Sequence, residues 1–183
     1  MSLKSKIIDK IIEIEGGYSN DPADSGGETR WGVIETEARA YGYTGSMREL
    51  PKETARKIYE EKYLKKIRFD AIASLSEKIA AELADTSINM GWSRAGRFLQ
   101  ESLNVLNRGG RDYPDLTVDG VIGAKTLAAL RSYLSKRGRD GEEVLLKMLN
   151  ALQGAFYVEL AKRRVKDEKF VYGWFKNRVG ALS

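Results

Sequence analysis

Residues 15 to 32 read EGGYSNDPADSGGETRWG, and the first of them is a carboxylate standing where a helix would bury it. The chain contains neither histidine nor cysteine. Ser-His-Asp and Cys-His triads, the HExxH zinc helix, disulfides and thiolate metal sites are therefore excluded, and any acid–base chemistry falls to Asp, Glu, Lys or Tyr. Upstream of Glu15, the residues Ile8, Ile11 and Ile12 recur at helical spacing and define an apolar stripe. Glu15 follows Ile8 by seven residues and Ile11 by four, which puts it on that stripe, whereas Glu13 follows Lys6 and Asp9 around the polar face. Burial disfavours the charged form of a carboxyl group, and a helix C-terminus carries partial negative charge, so both effects raise the pKa expected of Glu15. A carboxyl that keeps its proton near neutral pH is what a general acid requires. The position also suits a plainer role, a hydrogen bond between Glu15 and an arginine or a backbone N–H at the helix end.

The elements that must hold these groups are mostly helical. Apolar residues at Leu3, Ile7, Ile8, Ile11, Ile12 and Ile14 predict a helix over 3–15, stopped by Gly16 and Gly17. Loop residues fill 16–30, with a small hairpin near 28–34 and a short helix over 36–41. Pro51 introduces a helix over 52–65 that faces Ala55, Ile58, Tyr59 and Tyr63 inward. Further helices are expected over 75–89, with Leu75, Ile79, Leu83 and Ile88 inward, and over 93–106, the two separated by NMG. A loop with the sequence RGGRDYPDLTVDG precedes a helix over 123–134, the exposed connection SKRGRDG covers 135–141, and a long helix over 142–165 turns Val144, Leu145, Met148, Leu149, Leu152, Phe156 and Leu160 inward. The expected fold class is mainly α, α+β at most, in a single domain over 1–183.

Composition agrees with an ordinary folded chain. Of its 183 residues 42% are hydrophobic and 31% charged, enough apolar material for one core. No stretch reaches the roughly 18 apolar residues of a membrane span, and the N-terminus lacks a long apolar segment ending in a small-residue cleavage site. Neither membrane insertion nor an export signal is expected. A net charge of +5 suits a polyanionic partner, nucleic acid or a bacterial wall.

The stretch EGGYSNDPADSGGETRWGV closely resembles the N-terminal signature of glycoside hydrolase family 108, a group of phage and prophage endolysins. The resemblance continues through DTSINMGWSRAGRFLQESLNVL, similar to the family's central helices, LTVDGVIGAKTLAAL, similar to its peptidoglycan-binding element, and FVYGWFKNRV, similar to its ending. It implies a lysozyme-like helical fold with a catalytic part over 1–92 and a helical part over 93–183 that contains the binding element. It also implies hydrolysis of the bond between N-acetylmuramic acid and N-acetylglucosamine, with Glu15, the glutamate of EGGY, as the acid. Lysozymes of T-even phage type place an aspartate after eight intervening residues and a threonine after five more; here Asp24 keeps the first spacing and Thr29 falls one residue short. Asp21 competes with Asp24 for the second role. The stretch INMGWSRAGRFLQESLN resembles the Asn-Gly-Phe helix junction of the same lysozymes.

Glycosidic cleavage needs a proton on the leaving oxygen and support for an oxocarbenium-like sugar. Glu15 supplies the first; Asp24, on a solvated loop, would stay ionised as base or charge stabiliser, with Thr29 positioning water. The loop DPADSGG is also plain turn chemistry, and Asp24 serves that equally well. Tyr18, Asn20, Trp31, Asn89 and Trp92 are candidate contacts for sugar rings, with core packing as the alternative for the tryptophans and helix capping for Asn89. Arg94, Arg97 and Lys125 are candidates for muramyl carboxylates. No nucleotide-binding glycine motif occurs, and Pro22 and Ala23 interrupt any calcium loop, so no cofactor or metal is implied. A DNA-binding reading of SRAGRFLQESLN is opposed by its apolar stripe of Phe98, Leu99, Leu103 and Leu106. The expected partner is bacterial peptidoglycan, not nucleic acid, with the chain acting as a monomer on the wall after release from the cytoplasm; a non-catalytic wall-binding protein is the competing class.

Overall fold

Ser2 starts the first helix: its hydroxyl accepts the amide N–H of Ser5 at 3.2 Å, and α1 runs over Leu3–Glu15. Gly16 ends it at φ 67°, a conformation that costs glycine nothing, and returns its N–H to the Ile12 carbonyl. The computed structural model describes residues 2–20 and 27–180, with only the backbone at Ile14 and Glu15. Asp21 and Asp24 lie outside the described residues, as does the expected inward direction of the Glu15 side chain.

The chain divides into two compact units, Met1–Lys62 and Tyr63–Ser183. In the first, α1 packs its buried Ile8, Ile11 and Ile12 against α3, Lys52–Tyr59, which contributes Ala55, Ile58 and Tyr59. Lys4 pairs with Glu60 at 2.9 Å and Arg56 with Asp9, so polar rims on both sides fix the helix pair. Three two-residue strands, β1 Tyr18–Ser19, β2 Thr29–Arg30 and β3 Val33–Ile34, form an antiparallel sheet in that order. Tyr18 is opposite Arg30 and Ser19 opposite Thr29, while Thr29 also faces Ile34 across the second pairing. Trp31 and Gly32 make the β2–β3 turn at φ 55° and 74°, the pair of positive angles that lets a two-residue hairpin follow the strand twist. The hairpin expected near 28–34 is present, whereas β1 replaces part of the expected loop. The short helix α2 occupies Glu35–Ala40, and a 3-10 turn over Met47–Glu49 buries Met47. The helix expected over 52–65 changes character at its end, where Glu60–Leu64 is π-helical.

The second unit is helical: α4 Phe69–Ala73, α5 Glu77–Met90, α6 Trp92–Leu106, α7 Ala124–Arg163, a 3-10 turn Val165–Asp167 and α8 Glu168–Asn177. Central α5 contacts α4, α6 and α7, and it is rich in alanine where they approach: Ala80, Ala81 and Ala84 are all buried. Gly91 separates α5 from α6 at φ 91°. The helices expected over 123–134 and 142–165 form α7, broken at Gly138 (φ 59°, ψ −142°) inside the exposed stretch foreseen as a connection. One expectation is corrected. Val144 is 42% exposed, and the buried row of α7 is Leu145, Leu149, Gln153, Tyr157 and Ala161, spaced by four and carrying a glutamine at its centre.

The long connection from α6 to α7 lies on α6. Gln100 donates to Asp119 at 2.9 Å and Val121 at 3.1 Å while accepting the Gly120 N–H at 2.8 Å. Gly96 permits the approach: a Cβ there would stand 2.1 Å from the Gly120 carbonyl oxygen. The VDGVIG element is therefore packed against the helices of its own unit. Among the described residues no helix is long and apolar enough to cross a membrane.

Candidate active site

In the first unit the chain leaves α1 at Glu15 and enters β1 three residues later, so the helix end and the small sheet are tied by one short turn. Tyr18 donates its hydroxyl to the Glu28 carboxylate at 2.9 Å, with the Arg48 guanidinium 4.2 Å above its ring. Partial burial, reinforced by the Glu28 carboxylate, raises the Tyr18 pKa, so the phenol stays a donor. Thr29 stands beside Glu28 on the central strand, half-buried, and Asn20 is exposed at the end of β1. Trp31 is held on three sides. Its ring N–H donates to the Leu50 carbonyl at 2.8 Å, its own carbonyl accepts from Tyr59 at 3.1 Å, and Arg30 and Lys52 each lie within 5 Å of the ring. The sheet thus brings together Tyr18, Asn20, Thr29 and Trp31.

Glu28 was not singled out from the sequence. Its signal is position alone: an acidic residue directly before Thr29, at the start of the strand that pairs with β1. It adds a carboxylate to this region, oriented by a phenol.

The other two expected contacts lie in the second unit, at the α5–α6 junction. Asn89 donates to the Asp85 carbonyl at 2.8 Å and carboxylate at 3.1 Å, and its amide oxygen accepts from Arg178. Trp92 opens α6 and is half-buried. Arg97 donates to the Val118 carbonyl at 2.7 Å and Arg94 stacks on Phe156 at 4.2 Å, whereas Lys125 is exposed.

Below Asn89 is a buried polar cluster with no counterpart in the sequence reading. Gln153 donates to Asp85 at 2.9 Å and to Thr86 at 3.2 Å, and Arg178 lies 3.7 Å from the Asp85 carboxylate. Glu82 is 1% exposed, and among the described residues neither of its carboxyl oxygens has a hydrogen-bond partner. Burial pushes its pKa up to about 7, the neighbouring Asp85 adds to that, and the nearby Asn150 amide opposes it without reaching hydrogen-bond geometry. The only sequence cue was a glutamate set among alanines and leucine in IAAELA.

Against known proteins, residues 8–91 match the family described as Glycosyl hydrolase 108, and residues 94–179 match one described as Predicted Peptidoglycan domain. The first match includes Glu15, the sheet and Asn89; the second starts within α6 and reaches past α8. The N-terminal part of the chain, residues 8–91, is thus similar to the glycosyl hydrolase 108 family. Among solved structures it is similar to Brucella abortus SagA, with 29% sequence identity and a TM-score of 0.69 over 98% of this chain and 90% of that one. None of the curated proteins is a match at the sequence level. The family 108 match, the adjoining peptidoglycan-domain match and the likeness to SagA together support a peptidoglycan hydrolase of the glycosidase type. The family 108 segment runs beyond the first compact unit into α5, so the family boundary at 91–94 and the packing boundary at 62–63 do not coincide.

Proposed function

We propose that the protein is a lysozyme-type N-acetylmuramidase in which Glu15 is the general acid. The observation that carries this reading is Glu15 itself, the last residue of α1, within the family 108 match and three residues before a sheet that gathers Tyr18, Thr29 and Trp31. In this mechanism the Glu15 carboxyl gives its proton to the glycosidic oxygen as the bond to the anomeric carbon of N-acetylmuramic acid breaks. Asp24 carries the opposing negative charge or takes the proton of the attacking water, which Thr29 positions. Tyr18, Asn20, Trp31, Asn89 and Trp92 are assigned contacts to sugar rings. The protein acts as a monomer on the wall once released, in a phage-type lytic role.

Digestion of purified peptidoglycan by wild type and by Glu15→Gln, with product ends identified by mass spectrometry, tests this directly. Glu15→Gln keeps shape and removes the proton, so the rate should fall roughly 100-fold to 10,000-fold, the span of general acid catalysis. Glu13→Gln, at an exposed position of the same helix, should change little. Wild-type activity in Glu15→Gln, or new reducing ends on N-acetylglucosamine, would reject the assignment.

A further inference from the structure

The second unit holds a cavity of about 550 Å³ walled by the start of α5, the middle of α7 and the end of α8. Leu146, Ala151, Phe175 and Val179 give it apolar walls, while Lys78, Lys147 and Glu143 provide charge at its edge. Lys78 and Lys147 are exposed, and among the described residues neither has an ion-pair or hydrogen-bond partner. Two free cations beside apolar walls call for a ligand that is itself both apolar and acidic. Glu143, 3.9 Å from the more exposed Arg139, adds one negative charge to the same edge.

The α8 wall is held in place without a ligand. Phe175 packs on the bare backbone of Gly154, where a Cβ would lie 3.3 Å from its ring, and Trp174 stacks on Tyr157 at 4.7 Å. Beyond the helix, Arg178 is tied to Asp85 and Asn89, and the Gly180 N–H donates to the Asn150 amide oxygen. The cavity is thus preformed, which lowers the ordering cost of binding.

We propose that this cavity binds the peptide stem of peptidoglycan, a short peptide with alanine methyls, free carboxylates and the side-chain amine of a diamino acid. Methyls meet the apolar walls, Lys78 and Lys147 pair with carboxylates, and Glu143 faces the amine. The inference rests on peptidoglycan being the substrate, and it places stem recognition in the half that matches a peptidoglycan domain, where Leu146, Lys147, Ala151, Phe175 and Val179 all lie. A nucleic acid is a poorer fit, since it offers no methyl-rich acidic peptide and would meet Glu143 unfavourably.

The test titrates soluble L-alanyl-γ-D-glutamyl-meso-diaminopimelyl-D-alanine into the full chain carrying Glu15→Gln, by calorimetry at near-physiological salt. Saturable binding is expected, weakened roughly tenfold or more by Lys147→Glu and by Ala151→Trp, which fills the cavity from an exposed position. Circular dichroism confirms that each variant is folded, and Lys78→Glu provides a second charge reversal. The proposal is overturned if the folded protein does not bind the stem, if these variants bind it unchanged, or if a glutamate-only peptide of equal charge binds as tightly. Glycan strands stripped of stems separate this result from the glycosidase reading. Cleavage of stripped strands by the wild type without stem binding removes the pocket and keeps the muramidase; stem binding with no cleavage of any glycan by the wild type does the reverse.

Discussion

Replacing Glu82 by glutamine should stabilise the protein at alkaline pH and leave it nearly unchanged in acid. In the folded state this carboxyl titrates near 7 against an ordinary value of 4.5, chiefly because burial penalises its charge. Below about pH 4.5 both folded and unfolded chains hold the proton and the site contributes no penalty. Between 4.5 and 7 the folded chain binds more protons than the unfolded one, so stability falls as pH rises, and above 7 the loss is complete. At 1.36 kcal/mol per pKa unit, the full loss is roughly 3 kcal/mol, which in a chain of this length corresponds to a melting shift of roughly 6 to 12 °C. Glutamine keeps the shape and cannot ionise. Urea unfolding followed by far-ultraviolet circular dichroism at pH 4.5, 6, 7 and 8 should therefore show a variant-minus-wild-type difference that starts near zero and rises to a plateau. A difference that is the same at every pH, or one that turns against the variant as pH rises, would show that Glu82 is not a charge held in a dry site.

Two further substitutions probe the frame around the site. Gly96→Ala places a methyl 2.1 Å from the Gly120 carbonyl oxygen, so it should cost about 2 kcal/mol or more in urea unfolding and speed hydrogen exchange over 114–123; unchanged exchange would mean that the loop does not depend on this contact. Trp31→Phe removes the ring N–H that satisfies the Leu50 carbonyl and should cost about 1 kcal/mol, whereas an unchanged urea midpoint would show that this carbonyl finds another donor.

Much of the helical frame was readable because periodic burial leaves a periodic trace. Ile8, Ile11 and Ile12 on α1 and Phe98, Leu99 and Leu103 on α6 are buried as their spacing required. Short elements left no such trace. Two residues of β1 cannot display an alternation, and the five-residue α4 is too brief for a helical stripe. The π-helical turn over Glu60–Leu64 has no local signature in EEKYL, because it depends on how the chain leaves α3. Val144 was misplaced for a related reason. The apolar residues Val144, Leu145, Leu146, Met148 and Leu149 permit two neighbouring stripes, and the structure buries the one that continues through Gln153, a residue that apolar counting passes over. At the candidate site, the hairpin bearing Thr29 and Trp31 was legible from its turn residues, whereas Glu28 gains its place only through the hydrogen bond from the Tyr18 hydroxyl, once β1 has paired with β2. Glu82 was hidden because a glutamate within a helix ordinarily marks the solvent face.

The break at Gly138 has a mechanical consequence. As one straight rod, the 40 residues of α7 would reach about 60 Å and could transmit a push from end to end. A joint at φ 59° and ψ −142°, a region nearly confined to glycine, converts that rod into two shorter struts. Tyr133 donates its hydroxyl to the Gly141 carbonyl at 2.9 Å across the joint, so the angle is braced from the buried side while residues 135–140 remain exposed. Force applied to α8 and the distal strut meets this bend before it can reach Ala124. The exposed side of the joint is accordingly the place to graft a cargo module or open new termini while disturbing the cavity and the α6 loop least.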